Sequence, residues 1–184
     1  MKGKVKLSEY NNSWYKPGNP IKRFFWYFFN ICFLLNPYNP FGGLRKFVLR
    51  LFGAKIGKAV VIKPRVNIKY PWKLKVGHYT WIGEGVWIDN LDEVIIGDHV
   101  CISQGAFILC GNHNYSKKSF DLMVKPILIE DGVWIGAKTV VCPGVKCSTH
   151  AVLTVGSIAK NDMEAYGIYS GNPAVKVKER QIKD

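Results

Sequence analysis

From Val76 to Glu164 an aliphatic residue recurs at every sixth position, and a small or β-branched residue follows it four places later. The leaders are Val76, Ile82 and Ile88, then, after a slip of two residues, Ile96, Ile102 and Ile108. A last unbroken run follows through Ile129, Ile135, Val141, Cys147, Leu153 and Ala159, with Val133, Thr139, Val145, Ala151, Ser157 and Met163 as its partners. Alternation by two or a 3.6-residue stripe would scatter these aliphatics over several faces within two repeats. A three-sided solenoid keeps them together: three hexads close a coil, the leaders point inward, and coils stack through parallel backbone hydrogen bonds. A β-sandwich of short strands has no reason to hold its inward residues at multiples of six. The Gly or Asp that often follows a leader is assigned to the sharp turns at the corners.

Upstream the pattern changes. Residues 21–35 are intensely aromatic but too short to cross a bilayer, which takes about 20 apolar residues. Residues 44–52 have amphipathic helical spacing, with Leu44, Phe47, Val48, Leu51 and Phe52 on one face and Arg45, Lys46 and Arg50 towards the other. The Pro37–Gly43 stretch between them reads as a turn. Two roles are open for these helices: lying on an anionic membrane, or covering the open end of the first coil. The predicted organisation is mainly β. A basic aromatic cap spans 1–54, the solenoid 55–164 with a protruding loop at 110–125, and a tail or short helix 165–184.

Charge sharpens the first role. The chain of 184 residues has a net charge of +13, and residues 1–75 hold 16 Lys or Arg against a single acid, Glu9. An anionic surface facing the N-terminal end is the natural partner. Nucleic acid is not expected, because no recognised binding motif accompanies the charge. Five cysteines, an odd number without a C-x-x-C pair, argue against a disulfide frame or zinc clip. With no signal-peptide pattern at the start, a cytoplasmic protein is expected, possible membrane association being peripheral.

Chemistry is expected where the repeat breaks. Between Ile108 and Ile129 a polar excursion carries Asn112 and His113 near its start. A regular scaffold that tolerates one long histidine-bearing loop generally uses it. His78, His99 and His150 occupy corners and are expected to be solvated, and no close pair accompanies His113, so no metal site is predicted. Gly53-Ala54-Lys55-Ile56-Gly57-Lys58 is one residue short of a phosphate loop and lacks its hydroxyl residue.

Several blocks in order carry a more specific signal: Cys101-Ile102-Ser103-Gln104-Gly105, Gly111-Asn112-His113, Val124-Lys125-Pro126-Ile127, Trp134-Ile135-Gly136-Ala137, Cys142-Pro143-Gly144-Val145 and Gly171-Asn172-Pro173-Ala174. Together they resemble the hexapeptide-repeat acyltransferases, in particular the colanic acid biosynthesis acetyltransferases and the galactoside and maltose O-acetyltransferases. The resemblance implies a left-handed parallel β-helix, a homotrimer with sites between subunits, and acetyl-CoA as co-substrate with no metal. It implies His113 as catalytic base for a saccharide hydroxyl, with Asp89, Asn90, Asn112 and Trp134 near the acceptor. On the cofactor side it implies Trp134, Gly136, Ala137, Gly156, Lys160, Lys176 and Lys178. A lipid-linked saccharide of surface-glycan assembly would account for both the enzyme core and the basic aromatic front. An amino-sugar N-acyltransferase stays open beside this reading, and so, further off, do a carbonic-anhydrase-like metal enzyme and a noncatalytic membrane scaffold.

Overall fold

The computed structural model describes residues 3–183. Short strands stack into three parallel faces. The first face runs from Lys55–Ile56 to Lys146–Cys147, the second from Val61–Ile62 through Val152–Leu153, and the third from Asn67–Ile68 to Ile158–Ala159. On the second face the inward column is Ile62, Ile82, Ile102, Ile135 and Leu153, each paired with the next in strict register. Every leader from Val76 to Ala159 is buried, and so are the partners four places on, Thr80, Thr139 and Ser157 included, except after Ile88 and Ile108, where the repeat slips or breaks. Each large aliphatic in these columns stabilises the stack by about 1.5–3 kcal/mol relative to exposure. The repeat starts one coil before Val76, because Ile56, Ile62 and Ile68 lead and Val60 and Val66 follow in the same positions.

The corners obey a rule that the hexad pattern hides. The third residue after a leader takes the left-handed conformation, with φ of 56° at Tyr79, 55° at His99, 57° at Lys138 and 58° at His150. That conformation costs an L-residue roughly 1–2 kcal/mol. Stacking along the edge offsets part of it: Tyr79 lies on His99 at 5.0 Å and His150 on Tyr166 at 4.9 Å. The glycines directly after leaders serve another purpose than the turn. A Cβ at Gly77 would sit 2.6 Å from the carbonyl carbon of Gly97, so these positions are small because the next coil is too near.

A stack of parallel coils leaves unpaired backbone at its first edge. Val61 and Asn67 donate up the stack to Thr80 and Val86, while the carbonyls of Ile56, Val60, Ile62 and Ile68 turn away from it. Two helices supply the missing donors. Helix α1 (Pro20–Phe29) is capped by Asn19, whose side chain accepts the N–H of Ile21 and Lys22, and a π-helical turn, Asn30–Leu35, extends it. Helix α2 (Gly42–Leu51) lies against the first coil. Arg45 Nε donates to Ile62 O at 2.9 Å, Lys46 Nζ to Val60 O at 3.0 Å, Arg50 to Ile56 O at 2.9 Å and Trp26 Nε1 to Ile68 O at 2.9 Å.

This corrects the face expected for residues 44–52. Arg45 is buried with Val48, Leu49 and Phe52, whereas Leu44, Phe47 and Leu51 face outward. The need of edge carbonyls for a donor outweighs the apolar pattern there, and burial holds the Arg45 guanidinium below its ordinary pKa. The C-terminal segment is a strand pair rather than a helix: Gly167–Gly171 extends the second face parallel to Val152–Leu153, and Ala174–Glu179 returns antiparallel to it.

Arg45→Met keeps the apolar stem but strands two carbonyl acceptors, of Ile62 and Asn39. A loss of about 2–4 kcal/mol is expected in urea unfolding at fixed protein concentration, and a change under 1 kcal/mol would contradict the capping role. Burial pushes the thiols of Cys110 and Cys147 up to about 12. Both therefore stay protonated at about pH 9, where alkylation needs the thiolate. Iodoacetamide should modify the exposed Cys32 and spare Cys110 and Cys147 until the protein is denatured.

Candidate active site

After strand Phe107–Leu109 the chain leaves the solenoid at the edge between its third and first faces. The excursion predicted as a polar loop is a hairpin, with Gly111–His113 antiparallel to Leu122–Val124 and His113 opposite Leu122. Its base is anchored by Cys110, which is fully buried, and by Gly111, packed against the Leu91 side chain, which a Cβ there would displace. Its tip is tied to the N-terminal segment: Lys6 N–H donates to Lys118 O at 2.8 Å, and Lys118 pairs with Glu9 at 2.8 Å.

His113 is held on three sides. Its Nδ1 lies 2.9 Å from the carbonyl oxygen of Phe120. A carbonyl only accepts, so Nδ1 carries a proton, and in the neutral imidazole Nε2 is the nitrogen with the lone pair. Phe120 has φ of 52°, a left-handed residue at the hairpin's turn, and its ring stacks on the imidazole at 4.5 Å and 8°. Tyr10 covers the other side with ring centroids 5.8 Å apart. Among the described residues Nε2 has no hydrogen-bond partner.

The imidazole opens on a cavity of about 490 Å³ lined by Tyr10, Tyr15, Arg23, Lys69, Asp89 and Asn112, among others. Asp89 sits in its wall, largely buried, with Oδ1 2.9 Å from Lys69 Nζ and no other hydrogen-bond partner. It keeps free lone pairs for a hydroxyl donor. Tyr15 donates to Leu91 O at 2.7 Å, and burial together with the nearby Tyr70 and Asp89 raises its pKa. Asn112 also lines a second cavity, of about 310 Å³, with Met123, Lys125, Cys142, Pro143 and Lys160. The hairpin strand thus separates two recesses, His113 facing one and Asn112 bordering both.

Asn90, expected beside the acceptor, is fully buried and spends its amide on the coil below. Its Oδ1 accepts Tyr70 N–H at 2.9 Å and its Nδ2 donates to Tyr70 O at 2.6 Å. It builds the wall and leaves Asp89 to face the cavity. The other expected residues lie elsewhere in the single chain. Trp134 stands on the second face, about half exposed, donating to Ser103 Oγ at 3.0 Å. Gly136, Ala137 and Gly156 form the edge between the second and third faces, where Gly156 N–H donates to Ala137 O at 2.9 Å. A Cβ at Gly136 would meet Leu153 O at 2.6 Å, so coil packing alone requires that glycine. Gly156 has open space in its place. Lys176 is engaged by Glu164 and Glu179 at 2.7 and 2.6 Å, while Lys160 and Lys178 form no ion pair among the described residues.

Sequence reasoning missed Tyr10, Tyr15 and Phe120, which have no spacing to His113 that a pattern could expose. It also missed Lys69, which a twenty-residue coil spacing from Asp89 could have found, as Asn67 and Trp87 in register show. No group of three or more His, Cys, Asp or Glu among the described residues is placed to hold a metal ion.

No family model matches the chain. Its solenoid superposes on a hexapeptide-repeat acetyltransferase of Vibrio cholerae solved with acetyl-CoA, at a TM-score of 0.75 and 23% identity over 79% of this chain and 81% of that one. A galactoside acetyltransferase in complex with coenzyme A superposes at 0.76, with 23% identity over 87% and 81%. At these identities the likeness concerns the fold. In sequence the chain is 42% identical over 136 residues to the colanic acid biosynthesis acetyltransferase WcaF of Escherichia coli K12, spanning 74% of this chain and 75% of that protein. The chain belongs to the hexapeptide-repeat acetyltransferases. Galactoside O-acetyltransferase of the same organism is a more distant member, 26% identical over 76% of this chain and 70% of its own length. The protein is thus an acetyltransferase of this family.

Asn90→Ala removes both bonds to Tyr70. It should lower unfolding stability by about 1–3 kcal/mol, measured by urea denaturation. An unchanged midpoint would return Asn90 to the list of acceptor contacts.

Proposed function

We propose that the protein transfers the acetyl group of acetyl-CoA to a hydroxyl of a saccharide, with His113 as general base, in a homotrimer whose sites lie between copies of the chain. The observation that carries this reading is the Phe120 carbonyl on Nδ1 of His113, which leaves Nε2 as the basic nitrogen beside a cavity of about 490 Å³. Imidazole suits proton transfer at neutral pH.

The step balances without a further reagent. Nε2 takes the hydroxyl proton as the sugar oxygen attacks the thioester carbonyl, forming the C–O bond. Collapse of the tetrahedral adduct breaks the C–S bond, and the imidazolium returns its proton to the sulfur of CoA. Asp89, partnered by Lys69, accepts a hydrogen bond from the acceptor and fixes which hydroxyl meets Nε2.

The residues present fit the donor. Gly156 leaves a bare stretch of backbone at the edge between the second and third faces, and Lys160 and Lys178 remain free to meet phosphate. His113, however, stands at the edge between the third and first faces. Two edges of one prism cannot share a narrow site, which supports one copy's hairpin meeting the next copy's glycine-bearing edge. Exposed Trp81 and Trp134 on the second face are suited to burial between such copies.

The acceptor cavity continues into a groove of about 580 Å³ beside α1, lined by Phe24, Trp26, Tyr27, Ile31 and Leu35, and the two share Arg23, Lys69 and Tyr70. A polar chamber joined to an aromatic trough through two cations suits a saccharide carried on an anionic lipid. Such an acceptor places the enzyme on the cytoplasmic face of the cell membrane, with a role in surface-glycan assembly.

His113→Ala should lower acetyl transfer by roughly 10²–10⁴-fold with the urea midpoint and the trimer mass in solution unchanged. Labelled acetyl-CoA offered with a panel of glycans, lipid-linked sugars and amino sugars measures it. Turnover near the wild-type rate would remove His113 as the base, and N-acetyl product in preference to ester would move the reading to an amino-sugar acyltransferase.

A further inference from the structure

Helix α1 has two apolar faces where packing needs only one. Trp26, Phe29 and Phe33 turn inward, with Trp26 and Phe29 meeting Phe52 at 5.1 and 5.2 Å. Ile21, Phe24, Phe25 and Phe28, spaced as a helical stripe, turn outward and are 67, 61, 52 and 49% exposed. Helix α2 repeats the arrangement, with Leu44, Phe47 and Leu51 outward and Val48 and Leu49 buried. Exposed aromatics gathered on two short helices at one end of the molecule make a patch that solubility disfavours.

The charges around it choose the occupant. No acidic residue occurs between Glu9 and Glu84. Arg23, Lys55, Lys58 and Lys63 are exposed and form no ion pair among the described residues. A second copy on this face would set cation against cation, since a two-fold interface brings like surfaces together. An anionic lipid surface meets both the aromatics and the lysines. Neither helix is long enough to cross a membrane, so each lies in the interface. We infer that the outward faces of α1 and α2 dock the enzyme on anionic bilayers. The inference deepens the proposed membrane placement by naming the surface that makes it, and does not depend on His113 acting as base. It also gives the groove beside α1 a position next to lipid, since Phe24 and Ile31 belong to both.

Flotation of the full chain with phosphatidylglycerol-containing vesicles and with pure phosphatidylcholine vesicles tests it. Wild-type protein should float with the anionic vesicles, less so as salt rises, and little with the neutral ones. A variant combining Phe25→Ser, Phe28→Ser, Phe47→Ser and Leu51→Ser should lose at least about tenfold in binding. These side chains are outward and line no cavity described above, so acetyl transfer to a soluble glycan and the urea midpoint should be retained. A wild-type protein that does not float, or a variant that floats equally well, overturns the inference. So does sedimentation showing wild-type trimers joined through this face and separated by the substitutions. His113→Ala should float as wild type does, which keeps failure of the docking surface apart from failure of the catalytic reading.

Discussion

The hydrogen bond from one coil to the next governs this molecule. It fixes a close coil spacing, which in turn demands glycine directly after many leaders and excludes any bulk between Gly77 and Gly97. It also must end somewhere. At the first coil the carbonyls of Ile56, Val60, Ile62 and Ile68 lack donors from another coil, and the N-terminal helices supply them. At the far end Gly167–Gly171 closes the second face and folds back on itself. An unprotected edge would offer a template for pairing with another chain.

That constraint divides the basic residues into two populations. Arg45, Lys46 and Arg50 are backbone caps, Arg45 buried, Lys46 half-buried and Arg50 reaching the coil from the surface. Arg23, Lys55, Lys58 and Lys63 remain at the surface. A count of charges along the chain cannot separate the two, because both arise in the same basic stretch of sequence. The burial of Arg45 also explains why α2 shows apolar side chains outward: the side facing the coil must hold donors, so Leu44, Phe47 and Leu51 take the opposite side.

A rigid stack also determines where chemistry can occur. The coil interior is filled with aliphatic columns, so function is confined to edges and excursions. The hairpin leaves at one edge and is locked there by Cys110, Gly111 and the cross-coil amide of Asn90, which together give His113 a fixed point of departure. Its ring orientation is then set by Phe120, across the same hairpin, and by Tyr10 from the start of the chain. Precision at the imidazole thus comes from a strap at the beginning of the chain closing over a loop in its middle.

The inward columns from Val76 to Ala159, the protruding segment and His113 on it were all determined by local sequence, since a period of six admits a single packing and an interruption must leave it. The first coil at Ile56 was legible too, but its leaders merge into the basic region that precedes it. What only the folded chain decided were hydrogen-bond relations: the inward turn of Arg45, the amide of Asn90 clamped to Tyr70, and the carbonyl of Phe120 on His113 across the hairpin. The glycines after leaders gained their reason there as well, from the next coil's nearness. Periodicity reports which residues a backbone must bury. Hydrogen-bond partners are chosen by whatever unpaired group lies within 3 Å or so once the coils are stacked, and no spacing along the chain records that choice.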